Sequence, residues 1–140
     1  MARFVVDAGV VLKIVGEGLE VAREHELLAP TLLRSQTLSV LHEEVHGGRL
    51  PAEEARDRLE RIWRMPIRLL GDAVLRRRAW EVAERMGWAE TYQAEYIALT
   101  LLQADAFVTL DADLARSVEG LVATASIDAL SQRSSFGAAE

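Results

Sequence analysis

The sequence contains no cysteine, only three prolines and no long apolar run. Without cysteine, disulfide bonds and thiolate zinc sites are excluded, and a reducing cytoplasm is the compartment that fits best. No uninterrupted apolar stretch approaches the roughly 20 residues that span a bilayer. Asp7 and Lys13 interrupt the only stretch that could serve as the core of a signal peptide. We therefore expect a cytoplasmic protein that does not insert into a membrane.

The chain also lacks excess positive charge. Its formal net charge is −6, so any nucleic-acid contact must use local arginine clusters. Two clusters are present, one at 76–78 and one spread over 56–64, although solvated helix faces explain such runs more simply. The 140 residues, of which 50% are hydrophobic, suit one globular domain. We place this domain at 1–130 and a flexible tail at 131–140.

Short apolar runs alternate with helical patterns along the chain. The predicted strands are Phe4–Val6, Leu27–Ala29, Ile67–Leu70, Phe107–Leu110 and Leu121–Thr124. Five helices are predicted. The first is Val10–Val15, the second is capped by Thr31 and ends near His46, and the third starts at Pro51 and carries the apolar stripe Leu59, Ile62 and Trp63. The fourth is capped by Asp72 and ends at Met86, and the fifth is Thr91–Gln103. Strands separated by helices imply right-handed crossovers and a parallel sheet. We therefore predict a three-layer α/β/α domain with a central parallel sheet of about five strands.

Two predicted strands run directly into a carboxylate. Asp7 follows the first strand and Asp111 follows the strand at 107–110. Ligands of open parallel sheets bind beyond the carboxyl ends of the strands, where the strand order reverses. If these strands are neighbours, both carboxylates can reach one divalent ion, because Mg²⁺ favours one or two carboxylates together with water and phosphate oxygens. Helix capping is the alternative for each residue alone, and Asp113 is a third candidate acid that the helix dipole explains equally well.

Two glutamines lie in apolar helix stripes. Gln36 is surrounded by leucine and valine positions, and Gln93 begins the stripe that continues through Ile97 and Leu101. A polar side chain in such a stripe needs a partner or a cleft. Both glutamines lie early in their helices, near the edge expected to carry the acids. A semi-buried amide with a satisfied hydrogen bond is the simpler interpretation of each.

Three segments carry a resemblance to a known family. They are FVVDAGVVL at 4–12, APTLLRSQTLSVL at 29–41 and ETYQAEYIALTLLQADAFVTLDADLA at 90–115. The sequence resembles a PIN domain, and most closely the small VapC-type ribonuclease toxins. The resemblance covers nearly the whole chain. The last segment is the most specific, because its helix, alanine-rich turn and T-x-D strand end follow the family's order.

The resemblance implies a catalytic site that holds Mg²⁺ or Mn²⁺ and cleaves RNA. Carried over by position, the first acid is Asp7 and the last is Asp111, with Asp113 as a helper. The second and third acids fall on Gln36 and Gln93, where this chain departs from the family's pattern. These five positions are the predicted catalytic residues, of which Asp7 and Asp111 are the predicted metal ligands.

The two amides reduce the negative charge that attracts a cation. A glutamine oxygen can still ligate a hard cation, but it is neutral. We therefore expect one weakly held ion and not a two-metal site. Glu90, one helical turn before Gln93, is a candidate substitute acid. The family's usual hydroxyl two residues after the first acid is absent, because Gly9 occupies that position.

The resemblance also implies partners. An RNA substrate would be held by arginines, with Arg34, Arg76, Arg77 and Arg78 as candidates. A homodimer and a small VapB-like antitoxin that blocks the acidic cleft are the expected protein partners. A degenerate PIN domain that binds RNA or protein without cleaving it is the alternative function.

A competing motif lies at residues 42–46. His42-Glu43-Glu44-Val45-His46 matches H-E-x-x-H, in which two histidines share a helix face and a glutamate acts as the base of a zinc hydrolase. The motif lies in the last turn of its predicted helix, and no third ligand stands out. Favourable interaction of histidines with the helix C-terminus is the simpler explanation, so zinc hydrolysis is our third hypothesis.

Overall fold

The structure, a computed structural model, describes residues 2–132. The secondary-structure elements in chain order are β1 (Arg3–Val6), α1 (Ala8–Glu17), β2 (Glu26–Pro30), α2 (Leu32–His46), α3 (Ala52–Arg64), β3 (Ile67–Leu70), α4 (Ala73–Met86), α5 (Tyr92–Gln103), β4 (Ala106–Val108), α6 (Ala112–Val118), β5 (Thr124–Ala125) and a 3₁₀ turn, Ile127–Leu130. Most of the predicted tail, residues 133–140, lies outside the described residues.

The strands form one parallel sheet in the order β3-β2-β1-β4-β5. β1 lies at the centre and pairs with β2 on one side and β4 on the other, so the strand order reverses between β1 and β4. Because parallel crossovers are right-handed, the connections on the two sides of β1 run over opposite faces of the sheet. The predicted three-layer α/β/α architecture is confirmed.

The core lies between the sheet and its helices. The strands at the centre carry fully buried side chains, including Phe4, Val5, Leu28 and Phe107. Helices α1, α2 and α3 contact one another, while α5 packs along α4 and contacts β1, β2 and β4. Continuous apolar strands are typical of a sheet that is covered on both faces. No helix of residues 2–132 has the length and apolar character needed to cross a membrane.

Three sequence predictions about the ends of the helices are confirmed and one is wrong. Asp72 caps α4 by accepting from the backbone N–H of Leu75 at 2.9 Å, and Gly87 ends it in the left-handed conformation. Helix α2 ends at His46, as expected, and Gly47 is its C-cap. Thr31 precedes α2 but its side chain does not cap it, because its backbone is already helical (φ −57°, ψ −24°), whereas a capping residue needs an extended backbone.

Three further predictions need correction. Trp63 was predicted to belong to the apolar stripe of α3, but it is 66% exposed. Helix α3 buries the face that carries Ala55 and Ile62, and Trp63, one residue after Ile62, lies at the edge of that face. Strand β4 ends at Val108 and not at residue 110, since the Thr109 hydroxyl accepts a bond from a backbone N–H farther along the turn. The last strand is Thr124–Ala125, because backbone bonds to Val118 keep residues 121–122 in a turn after α6.

Candidate functional site

The two predicted metal ligands lie on adjacent strands at one edge of the sheet. Asp7 directly follows β1, and Asp111 lies three residues after the end of β4. These strands pair in register, Val6 opposite Val108, at the point where the strand order reverses. The predicted meeting of two strand ends at one edge is therefore confirmed. Both carboxylates line one cavity of about 160 Å³.

Both predicted glutamines also reach this cavity. Gln36 lies in the second turn of α2, and Gln93 lies in the first turn of α5. The cavity is lined by Asp7, Ala8, Gln36, Gln93, Tyr96, Phe107, Asp111 and Leu114. Four of the five predicted catalytic positions therefore converge on it, from helices that begin at the same edge of the sheet.

Each aspartate also caps a helix. Oδ1 of Asp7 accepts from the backbone N–H of Val10 at 3.1 Å, and Oδ1 of Asp111 accepts from that of Leu114 at 3.0 Å. The capping alternative considered for each acid is thus true of the structure, and it does not exclude a role in the cavity. A cap engages one oxygen of each carboxylate and fixes its orientation.

Thr109 links the two strand ends. Its hydroxyl donates to Oδ2 of Asp7 at 2.6 Å and accepts from the backbone N–H of Asp111 at 3.1 Å. The bond to Asp7 is short, as expected for a hydrogen bond to an ionised acceptor. Thr109 was not among the predicted site residues, although the T-x-D pattern in which it lies was the available signal.

Burial raises the pKa of the Asp7 carboxyl above its ordinary value, because the ionised form loses water. The hydrogen bonds from Thr109 and Val10 oppose this effect and lower the pKa, and the negative charge of Asp111 raises it further. The two acids are therefore close enough to interact electrostatically. A cation between them would relieve both the repulsion and the cost of burial.

Tyr96 is a second residue that the sequence prediction missed. It is a buried side chain of α5, and its hydroxyl donates to Oε1 of Gln36 at 2.6 Å. Burial, followed by the charges of Asp7 and Glu95, raises the pKa of the Tyr96 hydroxyl well above its ordinary value. The hydroxyl therefore stays protonated at neutral pH. Tyr96 is thus the hydrogen-bond partner that Gln36 was expected to need in the apolar stripe of α2.

The remaining predicted acids lie outside the cavity. The side chain of Asp113 is 88% exposed and forms an ion pair with Arg116. Glu90 lies in the loop before α5 and lines an open groove of about 580 Å³ together with Trp88, Tyr92, Gln36 and Gln93. Because both glutamines line this groove and the cavity, the two spaces are neighbours. The catalytic roles assigned to Asp113 and Glu90 stay predictions.

The predicted RNA-binding arginines are all exposed. Arg34 lines a different cavity, of about 290 Å³, beside Trp63. On α4, Arg76 donates to the carbonyl oxygen of Gly71 at 3.4 Å and Arg78 lies 3.8 Å from Glu81. Several arginines of α3 are engaged by carboxylates of the same helix: Arg58 by Glu54, Arg61 by Asp57 and Arg64 by Glu60. RNA contact by Arg34 and Arg76–Arg78 stays a prediction.

The competing zinc motif lies on the surface. His42 and His46 are exposed in the C-terminal half of α2, and Glu43 accepts a hydrogen bond from Ser39 at 2.9 Å. Within residues 2–132, no group of three or more His, Asp or Glu side chains is placed to hold a metal ion. The described chain therefore offers no third ligand to this motif.

The donor set of the cavity nevertheless suits one hard cation. Mg²⁺ in proteins is commonly held by one or two carboxylates, with water and substrate oxygens completing its shell. Asp7 and Asp111 supply two carboxylates that face the same cavity. Two carboxylates, without a third acid, fit a single ion held weakly.

Comparison with known proteins shows the fold. No family model and no curated protein matches the sequence. The chain is similar to the crystal structure of PAE2754 from Pyrobaculum aerophilum, with a TM-score of 0.74 and 20% identity over 92% of each chain. It is also similar to a chain in the crystal structure of VapBC2 from Rickettsia felis, in which VapBC2 is bound to a DNA fragment from its promoter. For this chain the TM-score is 0.65 and the identity is 8%, over 89% of this chain and 98% of that chain. At these identities the likeness establishes a PIN-like fold and no more.

Proposed function

We propose that this protein is a VapC-type endoribonuclease that cleaves RNA phosphodiester bonds with Mg²⁺ or Mn²⁺. One observation carries the proposal: Asp7 and Asp111 face a single cavity at the point of strand-order reversal in a PIN-like sheet. Such a point is where open α/β sheets bind ligands. The position of both acids agrees with the family resemblance of the sequence.

In this function, Asp7 and Asp111 hold the ion. When bound, the ion supplies Lewis-acid chemistry: it polarises a phosphodiester oxygen and lowers the pKa of a bound water. Thr109 keeps Oδ2 of Asp7 in place, and the capping bonds fix Oδ1 of both acids. The carboxylates therefore need little reorganisation on binding. Arginines of α4 are suited to hold the RNA backbone electrostatically.

We also propose a protein partner that regulates this activity. The likeness to a VapBC2 chain supports a small VapB-like antitoxin, and the family resemblance supports a homodimer. The antitoxin would cover the acidic cavity. Co-expression with the product of a short reading frame upstream of the gene would then suppress RNA cleavage, and unchanged cleavage would argue against that partner.

The second candidate function is an RNA- or protein-binding module without catalysis. It is favoured by the replacement of two expected acids by Gln36 and Gln93, since neither amide can carry charge. Such a module would bind RNA without hydrolysing it, and divalent ions would not change its melting temperature.

Cleavage of a labelled structured RNA, with and without Mg²⁺ or Mn²⁺, separates the two functions. The proposal expects metal-dependent cleavage that falls by at least about a hundredfold in Asp7→Asn and in Asp111→Asn. The matched control is Asp57→Asn, which removes an equal charge at an exposed position of α3 outside the cavity. Equal cleavage by Asp7→Asn and the wild type would identify a contaminating nuclease and refute the proposal.

A further inference from the structure

The hydrogen bond between Tyr96 and Gln36 defines the orientation of the Gln36 amide. The tyrosine hydroxyl is on a buried residue, and a buried hydroxyl hydrogen needs an acceptor. Among residues 2–132, Oε1 of Gln36 is that acceptor, at 2.6 Å. Reversing the amide would place its N–H₂ group against the hydroxyl and remove the acceptor that the described residues give to the hydroxyl hydrogen. The hydroxyl therefore keeps the amide oxygen on its own side.

This orientation leaves the amide nitrogen as the free end of the side chain. Nε2 of Gln36 has no hydrogen-bond partner among the described residues, and neither Asp7 nor Asp111 accepts from it. The side chain is half-buried and lines both the acidic cavity and the neighbouring open groove. Its two N–H donors are thus available where the cavity and the groove meet.

We propose that Gln36 donates to a phosphate oxygen of the bound RNA and does not act as a metal ligand. This inference rests on the proposed nuclease function. The position resembles one at which the family has an acid, and a glutamine oxygen there could ligate a hard cation. In this chain the oxygen is engaged by Tyr96, and the group left over is a donor, which repels a cation and attracts an anion.

A hydrogen-bond donor at this position offsets the repulsion between the carboxylates of the site and the phosphate groups of RNA. Asp7 and Asp111 repel a phosphate group as it approaches, and this repulsion is less screened by solvent at Asp7, which is half-buried. A fixed N–H group beside them offers the phosphate a hydrogen bond that does not depend on the ion. Tyr96 is the positioning residue, since it acts on the RNA only through the orientation of Gln36.

The test measures ion binding and RNA binding separately. Mn²⁺ affinity is measured by electron paramagnetic resonance. RNA affinity is measured in EDTA, by fluorescence anisotropy of a labelled short RNA oligonucleotide. The main variant is Gln36→Met, which keeps the length of the side chain and removes both polar atoms. Gln103→Met, at the exposed end of α5, is the matched control, and melting temperatures verify that each variant folds.

For Gln36→Met we expect RNA affinity to fall about tenfold, as for the loss of one hydrogen bond to a charged group, and Mn²⁺ affinity to stay within about twofold. Tyr96→Phe, which frees the amide to rotate, should weaken RNA binding less and leave Mn²⁺ affinity unchanged. Gln36→Glu should bind Mn²⁺ more tightly and metal-free RNA more weakly. The control should match the wild type in both measurements.

The opposite pattern overturns the inference: Mn²⁺ affinity lower by about tenfold in Gln36→Met, with RNA affinity unchanged. Absence of any RNA binding by the wild type in EDTA also overturns it. The proposed nuclease function fails in a different way. A wild type that binds RNA through Gln36 but neither binds Mn²⁺ nor cleaves would refute catalysis and retain the phosphate contact.

Discussion

The hydroxyl of Thr109 donates to Oδ2 of Asp7 across the gap between two neighbouring strands, at 2.6 Å. The same hydroxyl accepts from the backbone N–H of Asp111 at 3.1 Å. One side chain therefore ties together the two carboxylate-bearing turns of the site. The bond also favours ionised Asp7, in opposition to the effect of burial.

Replacing this hydroxyl tests its importance. Thr109→Val keeps the shape of the side chain and removes the bond, so the pKa of Asp7 should rise and the free energy of unfolding near neutral pH should fall by about 1–3 kcal/mol. Carboxyl NMR titration and urea denaturation measure the two effects. Thr124→Val is the control, since within residues 2–132 the Thr124 hydroxyl has no hydrogen-bond partner. Equal effects of both variants would contradict the assignment.

The raised pKa of Asp7 predicts how stability depends on pH without metal. The folded state binds the Asp7 proton more tightly than the unfolded state, whose ordinary pKa is 3.8. This contribution to stability is complete below that value and is lost as pH rises through the pKa of the folded state. Asp7→Asn removes the dependence, so its stability relative to the wild type should increase as pH is raised. Thermal unfolding in EDTA, from about pH 3 to pH 7, measures this difference. A difference that shrinks with rising pH would contradict the prediction.

A bound cation should stabilise the native protein. At a Mg²⁺ concentration ten times the dissociation constant, mass action contributes about 1.4 kcal/mol, which corresponds to a rise of about 3–5 °C in melting temperature. The rise should disappear in Asp111→Asn and persist in Asp57→Asn, whose side chain is exposed and paired with Arg61. Differential scanning fluorimetry at constant ionic strength provides the measurement. A rise that persists in Asp111→Asn would place the ion elsewhere.

Gly9 leaves room for the hydroxyl that the family resemblance leads one to expect. A Cβ atom at this position would lie 3.7 Å from Oδ1 of Asp7 and 4.0 Å from Leu110, which is ordinary van der Waals contact. Gly9→Ala and Gly9→Ser should both stabilise α1 by about 0.5–1 kcal/mol. Only the serine can donate to Asp7, so only Gly9→Ser should lower the pKa of Asp7 in an NMR titration. Equal pKa values in the two variants would show that the hydroxyl does not reach the carboxylate.

Much of the fold follows from local patterns in the sequence. The apolar runs of β1, β2 and β3 predicted those strands within one residue at each end. For β1 and β2 the signal is strong because their residues are mostly buried, and such strands are continuously apolar. Strand β5 was misplaced, since its two residues pair with β4 only after a turn that follows α6. Such a short strand has no periodicity of its own to detect.

The site was predictable where it depends on strand ends and obscure where it depends on distant contacts. Asp7 and Asp111 follow from the topology of a parallel sheet. The bond of Tyr96 to Gln36 joins residues 60 positions apart. Nothing in either helix distinguishes this tyrosine from its apolar neighbours, so only the packed structure shows that its hydroxyl lies beside an amide.

The double use of the two acids decides how variants of this site should be interpreted. Each aspartate both faces the cavity and begins a helix. Asparagine is as good a capping residue as aspartate, whereas alanine loses the cap at a cost of about 1 kcal/mol. In an alanine variant, the loss of the helix cap and the loss of the carboxylate would therefore both lower the measured activity, and the two effects could not be separated. The Asp→Asn exchange separates them, since it removes the charge and keeps the helix start.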